Sequence, residues 1–253
     1  MSELSADPKS LALSAVLVGV ALCVSWKEGL GLEKDMIYSV LRMVVQLFLV
    51  GYLLTGIFRL DNPWLTLVMV VLILGNAAWN AKNYGKGLPH IFRDCLLAIL
   101  LSTVVSLGIL LLTGNIQWTP SQMIPITGMI AGSAMKALGL ALSNLKQEVT
   151  DNEQKILERT ALGAGWQQAG KPVIQGTISR SMQPTLDTIK TLGIVTLPGM
   201  MSGMMFAGIS PEKAILYQLM VYFMILSASS ISCFLVTRMA YPKYLKKYVF
   251  ARL

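Results

Sequence analysis

Residues 184–208, PTLDTIKTLGIVTLPGMMSGMMFAG, decide how the chain is read. The stretch is apolar enough to enter a bilayer, yet it holds Asp187, Lys190, Pro198 and the four methionines Met200, Met201, Met204 and Met205. The longest polar segment of the protein lies immediately before it. A polar membrane helix interrupted by proline, and fed by a large aqueous loop, points to a moving part of a transporter.

The composition supports a membrane protein. Of 253 residues, 54% are hydrophobic and only 13% are charged, and the apolar residues fall in blocks long enough to cross a bilayer. Net charge is +8, but the basic residues gather at the ends of apolar blocks, with no basic stripe interleaved with aromatics. That pattern excludes nucleic acid as a partner and reads as membrane topology. His90 is the single histidine, so no histidine-based metal site or catalytic triad can form within one chain. Cys23, Cys95 and Cys233 lie in apolar segments without a CxxC pair and read as unpaired thiols. The N-terminus lacks a basic region before its first apolar block, which is read as a retained helix and not a signal peptide.

The expected fold is all-α and polytopic. A single permease domain, residues 1–253, has seven spans at about 11–26, 36–58, 64–80, 95–113, 122–143, 184–208 and 214–237. The first is short. Between the fifth and sixth spans, residues 144–183 form a helix–break–helix elbow, broken at Gly163-Ala164-Gly165. With the C-terminus and the elbow placed in the cytoplasm, 15 Lys and Arg fall inside and 3 outside. This fixes the N-terminus outside and the C-terminus inside.

Charged groups within the apolar blocks are the candidates for function, because each costs a few kcal/mol if left facing lipid. Arg42 and Gln46 share one helix face, as do Asn76 and Asn80, and Asp187 stands at i,i+3 from Lys190. Two readings stand for the last pair: it neutralises itself at the interface, or Asp187 and Lys190 line a polar path with Arg42, Gln46, Asn76 and Asn80. Lys136 is a further intramembrane cation. Gly128 and Gly132, and Gly199 and Gly203, form two GxxxG pairs on the spans that flank the elbow, suited to packing helices on each other or across a dimer. Pro198 removes a helix hydrogen bond and is expected to kink or break the sixth span. The methionines read first as adaptable packing residues and second as soft metal ligands, with Asp187, Met200 and Met201 as the candidate metal set.

One motif is rejected. Gly165-Trp-Gln-Gln-Ala-Gly170-Lys171 matches seven positions of a phosphate-binding loop, but the required Ser or Thr is Pro172 and the flanks are helical. No ATP site is found on this chain.

Several blocks closely resemble one family. They are SWKEGLGLEKDMIYSVLRMVVQLFLVGYLL, NAAWNAK, IPITGMIAGSAMKALGLALSNL, ERTALGAG and PTLDTIKTLGIVTLPGMMSGMMFAGISPEKAILYQLMVYFMILSASS. They resemble the FetB-like permeases of bacterial iron-export ABC transporters, a family that includes plant aluminium-tolerance permeases. The resemblance runs from about Leu11 to Arg238. It implies a non-enzymatic permease of the bacterial inner membrane, acting as a homodimer with separate FetA-like ATPase subunits that carry ATP and Mg. It implies metal export, with iron favoured, and a link to oxidative-stress resistance. ERTALGA is similar to the coupling motif of ABC permeases, which implies ATPase contact through Glu158, Ala161, Leu162, Gly163 and Trp166. Three alternatives remain open at this stage: a self-sufficient carrier or channel relaying ions through Arg42, Asp187 and Lys190; a permease for a nucleotide sugar; and a membrane anchor for a cytoplasmic complex.

Overall fold

A computed structural model describes residues 13–60 and 62–249. All regular structure among them is helical, apart from one isolated bridge between Leu192 and Thr196. The chain divides into two units, residues 1–60 and 61–253.

The first unit contains α1 (Val16–Lys27) and α2 (Glu33–Leu60). At ~1.5 Å per residue, the 12 residues of α1 reach only ~18 Å, well short of the ~30 Å hydrocarbon core. Helix α2, with 28 residues, is long enough. The turn between them is held by the Ser25 hydroxyl, which donates to Glu33 Oε1 at 2.7 Å. Nearly every apolar side chain of α2 is exposed, from Ile37 through Phe48 to Leu60. Water would not tolerate such a surface, but lipid would.

The second unit contains α3 (Pro63–Ala81), a 3₁₀ turn at Lys82–Gly85, α4 (Ile91–Leu112), α5 (Pro120–Asp151), α6 (Glu153–Ala161), α7 (Trp166–Ala169), α8 (Lys171–Thr191), α9 (Gly199–Phe206) and α10 (Pro211–Tyr244), which ends in a π-helical turn at Leu245–Val249. Proline opens α3, α5, α8 and α10, where its missing N–H costs nothing. At the start of α3 the Asn62 side chain also accepts from the Trp64 N–H at 2.9 Å.

Helix α5 is the hub, packing on α3, α4, α8 and α10. Its buried face repeats at helical spacing: Ala131, Ala134, Ala137, Leu138, Ala141, Leu142 and Leu145. Alanines recur on its neighbours as Ala78, Ala81, Ala98, Ala228 and Ala240. In lipid, where apolar area gives helices little reason to associate, such small residues allow the close approach that holds a bundle together. Polar cross-links add to it. Ser232 donates to Ser102 at 2.9 Å, Cys233 to the Ala137 carbonyl at 3.3 Å, and Tyr244 to the Leu142 carbonyl at 3.1 Å. A second apolar cluster joins Leu107, Leu110, Met123, Ile126, Ile130, Val221 and Met224 towards the other end of these helices.

Five of the seven expected spans are, among the described residues, helices long and apolar enough to cross a membrane: Glu33–Leu60, Pro63–Gly85, Ile91–Leu112, Pro120–Asp151 and Pro211–Val249. The first block forms a helix too short to be counted. The sixth is not one helix over residues 184–208. Helix α8 begins at Lys171, runs through Pro184 and stops at Thr191, and α9 restarts at Gly199. Hydropathy marks where the chain meets lipid, and a helix does not have to begin there. Cys23, Cys95 and Cys233 are free.

Candidate functional site

The first candidate region is the turn between α6 and α8. Gly163 takes φ 92°, a left-handed conformation that favours glycine, and ends α6. Helix α7 follows at once, so residues 162–165 form a tight break between helices. The base of this elbow is firmly held. Ile156 and Ala169 are buried in the main core. The Tyr241 ring stacks on Trp166 at 6.2 Å between centroids, and the Tyr241 hydroxyl donates to the Trp166 carbonyl at 3.1 Å. Gly170 lies so close to Tyr241 that a Cβ there would overlap the phenol oxygen. Arg159 donates to the Ala169 carbonyl at 3.3 Å. The tip, by contrast, faces outward. Leu162 is 89% exposed and Trp166 is 41% exposed. Glu158, Ala161 and Gly163 are exposed beside them, with Glu158 accepting from Gln154 at 2.9 Å. The five residues matched to a coupling motif are thus all exposed at or beside this break.

From the elbow, α8 leads away along α5 and α10. Its first half is fastened. Val173 and Ile174 are in the main core, Asn144 donates to Ser181 at 3.0 Å, and Arg180 pairs with the nearly buried Glu148 at 2.7 Å. Its second half is looser. Asp187 accepts from Gln183 at 3.0 Å and from Lys190 at 3.2 Å, and all of these groups are exposed.

Next comes the second candidate region, the interruption at residues 192–198. The Thr191 carbonyl accepts from both Val195 and Thr196, and Gly193 turns the chain at φ 83°. Ile194, Val195 and Leu197 are exposed, Ile194 at 91%. Pro198 is the cap residue that precedes α9, so a seven-residue interruption stands where a simple kink was expected. None of the α9 residues is buried; Met200 is partly buried against the Leu107–Met224 cluster. The segment therefore travels from the elbow end of α5 to its opposite end as two helices with a gap.

Beside the second half of α8 lies a groove of about 290 Å³, bounded by α5, α8 and α10. Its polar lining is Ser133, Lys136, Ser181, Thr185, Thr188 and Tyr222. Five of these, Ser133, Ser181, Thr185, Thr188 and Tyr222, were missed in the sequence. The available signal was Lys136, in mid-helix with no carboxylate at helical spacing from it.

Arg42 and Gln46 are exposed on α2 of the first unit. Asn76 and Asn80 of α3 satisfy each other, Asn80 donating to Asn76 Oδ1 at 2.6 Å and to its carbonyl at 2.9 Å, and neither lines the groove. A Cβ built on Gly128, Gly132, Gly199 or Gly203 meets nothing within 4 Å, so neither GxxxG pair makes a close contact in the chain. Other glycines are set against neighbours, among them Gly170, Gly139, whose Cβ would press the Tyr84 ring at 2.9 Å, and Gly85, whose Cβ would meet the Ile91 side chain at 2.7 Å. Among the described residues no group of three or more His, Cys, Asp and Glu could hold a metal ion. The Gly165–Lys171 segment forms a helical turn and the start of α8, with no strand before it.

Comparison with known proteins places this geometry. A model of an uncharacterised protein family, UPF0014, matches residues 8–245. The chain belongs to this family. It is 48% identical to the "Probable iron export permease protein FetB" of Escherichia coli (strain K12), over 93% of this chain and 91% of that protein. It is 36% identical to the "UPF0014 membrane protein YjkA" of Bacillus subtilis (strain 168), over 93% of this chain and 94% of that protein. It is 32% identical to the "Protein ALUMINUM SENSITIVE 3" of Arabidopsis thaliana, over 93% of this chain and 86% of that protein. No solved structure matches. The UPF0014 match spans both units, so the elbow, the interrupted helix and the groove all lie inside the family region. With five helices among the described residues long and apolar enough to cross a membrane, the chain is a multi-pass membrane protein.

Proposed function

We propose that the chain is the membrane permease of an ABC-type exporter of metal ions, with iron the favoured cargo, and that ATP is bound and hydrolysed with Mg on a separate ATPase subunit. The single observation that carries this reading is the elbow: an exposed apolar tip on a base held firmly against α5 and α10. A tip of this kind is an anchor for a groove on a soluble partner. A base of this kind transmits displacement instead of absorbing it.

The mechanism follows the chain. The ATPase grips Leu162, Gly163 and Trp166. Its closure shifts α6 and α7, and α8 follows as their direct continuation. The fastened first half of α8 carries the movement to residues 192–198, where two short helices joined by an open segment rearrange at low cost. The groove beside α8 changes width as a result. The name of the Escherichia coli relative, at 48% identity, supports metal as cargo and export as direction. The excess of Lys and Arg on one side supports an inner-membrane orientation with the elbow and C-terminus in the cytoplasm. Gly128, Gly132, Gly199 and Gly203, open to approach in one chain, are available to a second copy.

Reconstitution in liposomes tests this directly. The chain and an ATPase that co-purifies with it should together move iron only when ATP is supplied to the elbow side. The chain alone should move none. Transport without any ATPase would replace this reading with a self-sufficient carrier.

A further inference from the structure

Lys136 stands at the middle of α5, in a helix long and apolar enough to span the membrane. An amine at that depth costs several kcal/mol unless it faces water or a partner, and such a residue usually marks a pathway. Among the described residues Lys136 forms no hydrogen bond and no ion pair. The nearby acid of α8, Asp187, is engaged with Lys190 and Gln183 and does not line the groove. On α5 itself, Glu148 is engaged with Arg180. Lys136 therefore presents an uncompensated positive charge to the groove.

The hydroxyls around it sharpen the picture. Ser181 and Thr188 spend their hydrogens on the Thr177 and Pro184 carbonyls, at 2.7 and 2.8 Å. Ser133, Thr185 and Tyr222 make no hydrogen bond among the described residues. Three free hydroxyl donors and one ammonium converge on a groove of about 290 Å³, with no carboxylate in its lining. This donor set suits an oxygen-rich anion and repels a bare cation.

We propose that the groove takes its cargo as a small oxyanion, free or wrapped around a metal, and that Lys136, Ser133, Thr185 and Tyr222 are its first contacts. The proposal rests on the export reading for its direction and deepens it in the class of cargo: a metal would travel as a carboxylate- or phosphate-ligated complex, not as a naked ion.

Equilibrium dialysis of the full chain in lipid nanodiscs tests it with four probes: radiolabelled citrate alone, inorganic phosphate alone, ferric citrate carrying radioiron, and ferrous ion under reducing conditions. Citrate, phosphate or ferric citrate should be retained, and ferrous ion should not. Retention of ferric citrate without citrate or phosphate would identify the metal complex as the ligand, and retention of a free anion would identify the anion itself. Lys136→Met should weaken retention about 10- to 100-fold, the scale of one charge-assisted hydrogen bond. Lys136→Arg should restore it and guards against a folding artefact. Retention of ferrous ion alone, equal anion retention by Lys136→Met, or retention of none of the probes would overturn the proposal. A separate arm follows radioiron release from loaded cells with and without the chain. If release is unchanged by the chain, the export reading fails while the dialysis result still decides the groove.

Discussion

The chain breaks its helices twice along one continuous path, and the two breaks differ in how they are held. At residues 162–165 the break sits on a base locked by Ile156, Ala169 and the Trp166–Tyr241 stack. At residues 192–198 the break is followed by α9, none of whose residues is buried. Both use a glycine with positive φ, Gly163 and Gly193, and both expose apolar side chains. The contrast suggests a division of labour. A break that must pass on a push needs a rigid base, and a break that must change shape needs few contacts to lose.

Substitutions can break or sharpen this contrast. The largest stability effect is expected at the elbow base. Gly170→Val forces Tyr241 away from Trp166 and should cost about 3 kcal/mol, the upper range of overpacking. Thermal unfolding in detergent measures the loss, and a change in Trp166 fluorescence reports the broken stack. An unchanged melting temperature would mean that the base is not rigid.

Next is Arg180→Ala, which removes a partner of the nearly buried Glu148 and leaves it only Asn152. Because Arg180 itself is largely solvated, the cost should be about 1 kcal/mol. Asp187→Asn removes an exposed pair and should cost under about 0.5 kcal/mol. Asp187 does not line the groove, so efflux by the reconstituted complex should persist with this variant. Lost efflux would place Asp187 on the path of the cargo.

The smallest stability effect is expected at the elbow tip. Leu162→Asp places a charge on an already exposed position and should leave thermal unfolding unchanged. Recovery of the ATPase with the tagged permease should fall at least about tenfold, as expected for loss of a central apolar anchor. Equal recovery would remove the elbow from the docking surface.

Much of this layout was legible in the sequence, for identifiable reasons. The apolar blocks announced membrane helices because bilayer thickness fixes their length. The Gly-Ala-Gly run announced a helix break, seen at Gly163 with φ 92°, because a left-handed turn there favours glycine. The extent of the second break was not legible. Pro198 advertised a kink, but the gap also depends on Gly193 and on two amides folding back to the Thr191 carbonyl. Pro184 looked like a helix start and lies inside α8 instead. The GxxxG pairs advertised close packing, yet a motif does not say which side of a helix meets a neighbour. Ala134, Ala137 and Ala141 took that face, and Gly128 and Gly132 were left open. The groove was hidden for a similar reason. Lys136, Thr185 and Tyr222 lie on three helices, and only packing brings them together.

Amide hydrogen exchange on the reconstituted permease tests the division of labour most directly, with and without the ATPase and with ATP added last. Residues 161–166 should become protected when the ATPase binds, and residues 192–198 should change exchange rate only on addition of ATP. An elbow that stays unprotected in the complex, or a membrane break indifferent to ATP, would contradict it.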